Sequence, residues 1–182
     1  MRIALVLVAA TALSAQAAST VGAAPAKIDR ATFDRISEVV DNSFRGLWPE
    51  YPLEIVGVTH AVYIRGYGAV LSGEVNLAPG LNTTPFHPKI TPDDVSRTHQ
   101  KKVERMAALR TSMEDLLVKS ASQLRDLPEN EEVALAVVLF YWHWEDRSGL
   151  PEQLVIHAPK KALLAAGKDK AAIAAAVRID EY

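Results

Sequence analysis

The chain has 182 residues, a formal net charge of −2, 49% hydrophobic residues and no cysteine. Without cysteine there are no disulfides and no cysteine-borne lipid anchor of the bacterial lipoprotein kind, so a packed core must hold any exported form together. The near-neutral balance, with no basic run and no basic–aromatic strip, argues against nucleic acid or an anionic membrane as partner.

Residues 1–17 read as a cleavable signal peptide. Arg2 supplies the positive start, residues 3–13 the apolar stretch, and Ala15-Gln16-Ala17 the small-residue exit, with cleavage before Ala18. The apolar run is well short of the ~20 residues that span a bilayer, so no stable membrane anchor is expected after cleavage. The remainder is expected to be periplasmic or secreted. It divides into a flexible leader over 18–28 and one α+β domain over 29–182, long enough to bury a sizeable core.

A first helix is expected over 30–47. Phe33, Ile36, Val40, Phe44 and Leu47 recur at three- and four-residue steps. Asp29 supplies the N-cap, Ile28 and Phe33 a hydrophobic staple, and Gly46 and Pro49 the stop. Residues 53–77 form the strongest β region. One strand, apolar on both faces over 55–64, reads as central or covered on both sides. The turn Arg65-Gly66-Tyr67-Gly68 then returns it as a second strand over 69–77. A loop over 78–92 follows, with four prolines and a sequon at Asn82-Thr83-Thr84.

The second helix opens on Thr91 as cap and Pro92 at its first position, with Asp93 and Asp94 in the first turn. Its stripe runs from Val95 to Leu127, and the helix from Pro92 spans about 36 residues or ~54 Å if unbroken. A break would fall near Thr111-Ser112. The apolar stripe is stronger in the C-terminal half, whereas His99 and Lys102 interrupt the N-terminal half. Residues 132–145 read as another strand, returned by Asp146-Arg147-Ser148-Gly149 over 153–158. Two alanine-rich helices after Pro159 and Gly167 lead to an edge strand over 177–182. The expected fold is α+β: an antiparallel sheet of four to five strands with two main helices on one face.

No motif for a nucleotide, metal or cofactor is complete. Gly66 and Gly68 precede a strand, whereas a dinucleotide fingerprint needs a helix there. His143-x-Glu145 lacks the cysteines of a zinc deaminase. Alternation on a strand would put His143 and Glu145 on one face beside Tyr141. Were the hairpins to share a sheet, His60, Glu74, His143 and Glu145 would converge into a weak candidate metal or acid–base site. The competing reading makes His60 a core histidine, Glu74 a salt-bridged residue and His143-Glu145 a strand end entering solvent.

Tyr141, Trp142 and Trp144 are candidates for a ligand or partner surface, set against a role as core anchors. Arg65 and Tyr67 on the glycine turn are further candidates for such a surface. The leading expectation is a non-catalytic exported protein that binds a protein partner or itself. The alternatives are a small hydrolase using the four His and Glu residues, and a small-ligand carrier.

Overall fold

A computed structural model of the chain describes residues 27–80 and 89–182. The signal peptide, most of the leader and the sequon lie outside the described residues. Those described form six strands and four helices. In chain order they are α1 (Arg30–Arg45), β1 (Glu54–Ile55), β2 (His60–Ile64), β3 (Gly68–Asn76), α2 (Pro92–Gln123), β4 (Glu132–Leu139), β5 (Gln153–Pro159), α3 (Lys160–Ala166), α4 (Lys170–Ala176) and β6 (Arg178–Glu181).

The sheet is mixed, not antiparallel. Its order is β1-β3-β4-β5-β6, with β2 also paired to β3. Strands β3 and β4 are parallel and every other pair is antiparallel. The reason is the route of α2. It carries the chain from the end of β3 back to the start of β4, so the two hairpins join as a βαβ crossover. Short turns set the pairing inside each hairpin and say nothing about how the hairpins meet.

The first β region is also interrupted. Gly57 takes a φ of 89° between β1 and β2. The Thr59 backbone N–H and hydroxyl both donate to the Asp41 carboxylate on α1, at 3.2 and 2.5 Å. Strand β2 therefore sits at the sheet edge rather than at its centre, with His60, Val62 and Ile64 exposed.

Helix starts follow their caps. Asp29 accepts from the Thr32 N–H at 2.6 Å. Thr91 and Asp94 form a reciprocal capping box. Helix α2 runs unbroken through Thr111-Ser112 and ends at Gln123, four residues before the expected stop. Lys160 takes over there, its ammonium donating to the carbonyls of Arg125 and Leu127 at 3.1 and 2.7 Å.

One core lies between helices and sheet. It joins Ile36, Val40 and Phe44 of α1 to Leu109, Met113, Leu116 and Leu117 of α2. Across from them stand Leu71, Val75, Leu135, Val137, Leu154 and Ile156 of the sheet. Helix α3 adds Leu163, and α4 packs on α2 and α3.

Candidate functional site

Every helix covers the same side of the sheet, so the other side of the strands is left without a helical layer. Strand register fixes what that side carries. One row across it reads Val62, Val70, Ala134, His157, Arg178; the next reads His60, Ser72, Ala136, Val155, Asp180. Ile64 flanks these rows at one end, Glu74 and Val138 at the other. Val62 is 52% exposed, Ile64 48% and Val138 42%. The face is thus apolar and small-residued at its centre and charged along β6.

At the charged margin His157 is held between two carboxylates. Its Nδ1 lies 3.1 Å from Glu132 Oε2 and its Nε2 lies 3.4 Å from Asp180 Oδ2. Tyr67, one of the expected surface residues, sits near this group. Burial, and then the charges of Glu132 and Asp180, push its phenol above the usual tyrosine range. Arg65 is exposed on the same turn. His157 was not singled out from sequence, because only the register of β4, β5 and β6 makes it a neighbour of two acids.

The four residues of the candidate acid–base set do not meet. Strand β4 ends at Leu139, so His143 and Glu145 lie in the following loop rather than on one strand face. His60 and Glu74 stand on the uncovered sheet face, and His143 is exposed. Glu145 turns inward, beneath the helices. Among the described residues, no three His, Asp or Glu side chains form a group able to hold a metal ion.

Glu145 is committed to Lys102 of α2. The two side chains are almost wholly buried and meet at 2.5 Å. Lys102 also donates to the Phe140 carbonyl at 2.8 Å and lies 4.3 Å from the centre of the Tyr141 ring. Glu145 accepts from the Trp142 N–H at 3.2 Å. Just beyond the end of β4, the Phe140 carbonyl thus accepts from a buried ammonium while its N–H still donates to the Val75 carbonyl. Burial lowers the Lys102 pKa, and Glu145 works in the opposite direction.

Tyr141 packs on the core and donates to the Pro151 carbonyl at 2.7 Å; burial pushes its phenol up to about 12. Trp142 is exposed and meets Phe140 edge to face, while Trp144 is half-buried. The aromatic run is therefore partly core and partly surface.

One turn further along α2, Arg105 donates to the carbonyls of Leu77 and Tyr51 and stacks 4.4 Å over Trp48. It ties the segment after α1 and the end of β3 to the helix. On the helical layer, a separate groove of 580 Å³ lies between α2, α3 and α4.

No family model matches the chain, and no curated protein or solved structure matches it. The site geometry therefore carries the functional reading by itself. Among the described residues, no helix is long and apolar enough to cross a membrane.

Proposed function

We propose that this is a non-catalytic binding protein that acts outside the cytoplasm and assembles with a second copy of itself through the uncovered face of its sheet. The observation that carries the reading is that face. A parallel pair such as β3–β4 is ordinarily buried on both sides, and here one side presents Val62, Ile64 and Val138 to solvent. Val62 and Ile64 stand two residues apart on β2 with Val70 beside Val62 on β3. An apolar strip of this kind marks an interaction site more often than residues scattered singly. Val138 stands apart on β4. A second copy would supply the layer that this face lacks. A two-fold axis along the strands lays the His60 edge of one copy against the Asp180 edge of the other. The signal-peptide pattern of residues 1–17 supports the compartment.

The test is Val62→Glu with Ile64→Glu, sized by light scattering across a concentration series. Both side chains are exposed, so the variant is expected to keep its fold. The wild type is expected to be a dimer and the variant a monomer that keeps a cooperative thermal transition, at a melting temperature lower only by the lost association. A wild type that stays monomeric at all accessible concentrations overturns self-assembly.

A further inference from the structure

The groove on the helical layer has an apolar floor and a basic rim. Val118, Leu163, Leu164 and Ile173 form its floor. Lys119, Lys168 and Lys170 stand around it with a single acid, Asp115. Asp115 is already paired with Lys170. Lys119 and Lys168 have no ion pair among the described residues, so the rim holds two uncompensated ammonium groups. Leu164 is 42% exposed although it lies in a concave site.

The size is that of a ligand site rather than a packing defect, since small-molecule pockets typically span ~300–1,000 Å³. From Asp115 to Ser122 the groove follows α2 for about 10 Å at the helical rise. That length covers part of one alkyl chain, whose remainder crosses from the lysines toward Leu163, Leu164 and Ile173 on α3 and α4. Snorkelling lysines reach a head group at the rim while their stems widen the apolar wall.

We propose that this groove binds a single-chain anionic amphiphile, a fatty carboxylate, with its tail on Leu163, Leu164 and Ile173 and its head group between Lys119 and Lys168. The site lies on the layer opposite the uncovered sheet face, so it does not depend on self-assembly, and ligand binding and oligomeric state are read separately.

Calorimetric titration of the natural protein with dodecanoate, below its aggregation concentration, tests the proposal. Saturable binding of one dodecanoate per chain is expected, with weaker binding of octanoate and of dodecyl maltoside. Lys119→Glu with Lys168→Glu should weaken dodecanoate about tenfold and leave dodecyl maltoside unchanged. Leu164→Glu should remove both, and its exposed position keeps the fold intact, as circular dichroism would verify. Equal affinity for dodecanoate and dodecyltrimethylammonium overturns the proposal. So does binding confined to anionic vesicles, which would make the groove a membrane contact, and so does the absence of any saturable heat.

Discussion

Lys102 and Glu145 form a pair that only a buried position makes consequential. Two ions removed from water are stable together and costly apart. Lys102→Met strands the Glu145 carboxylate and is expected to cost about 3–5 kcal/mol in urea unfolding. Adding Glu145→Gln restores neutrality while keeping an acceptor for the Trp142 N–H, so the double variant should recover a large part of that loss.

The phenol beside this pair gives a pH signature. Tyr141 is raised to about 12 when folded, against ~10 unfolded. Its contribution is therefore complete below pH 10 and is lost as pH rises through about 12. The lowered Lys102 works the other way, favouring the folded state as pH approaches the unfolded lysine value. Tyr141→Phe should flatten the fall in melting temperature between pH 10 and 12; an unchanged slope would contradict the assignment.

Glycine gives a second contrast at this scale. Gly66 and Gly68 both hold positive φ, as the turn requires. A Cβ on Gly66 meets nothing within 4 Å, whereas one on Gly68 would stand 1.9 Å from the Glu132 carbonyl oxygen. Gly66→Val should cost about 1–3 kcal/mol from backbone strain. Gly68→Val should cost more, because it forces β3 away from β4, and the difference is measurable by denaturant unfolding.

At the scale of elements, helix α2 decides most of the architecture. Its start was legible in a threonine cap with proline and acids behind it, whereas its end at Gln123 falls four residues short of the stop that Pro128 implies. What could not be read was how its stripe is shared. Lys102 looks like an interruption because its partner is 43 residues away, in a loop that alternation assigns to a strand. The error propagates. If residues 132–145 are one strand, His143 and Glu145 share a face; since β4 ends at Leu139, they do not.

The parallel join of β3 to β4 was equally hidden, since periodicity reports the faces of a strand and not its neighbours. The C-terminal half of α2 carries the stronger apolar stripe, which periodicity alone could assign to the chain's own core or to a second copy. Leu116 and Leu117 lie within the chain's own core. Leu116→Glu with Leu117→Glu should therefore abolish the cooperative thermal transition. A folded, monomeric variant would show that these leucines serve an interface instead.

For the whole molecule, the decisive asymmetry is that all the helical cover is on one side. The helical layer buries Leu71, Leu135 and Ile156 almost completely, while their strand neighbours on the far side face solvent or one another. If a second copy supplies the missing layer, symmetry limits the arrangement. In a two-fold assembly, residues near the axis meet their own copies. Among β2-β3-β4-β5-β6 the middle strand is β4, and Ala136 lies at its centre on the uncovered face. Facing sheets pack about 10 Å apart, too far for a direct disulfide but within reach of a short bis-maleimide. The chain has no cysteine, so Ala136→Cys introduces a single reactive thiol. Treatment at dilute concentration should yield a covalent dimer, and Ala165→Cys on the helical layer should not. Cross-linking at Ala165 instead would place the contact between copies on the helices, and the sheet face would then have to be assigned to a different partner.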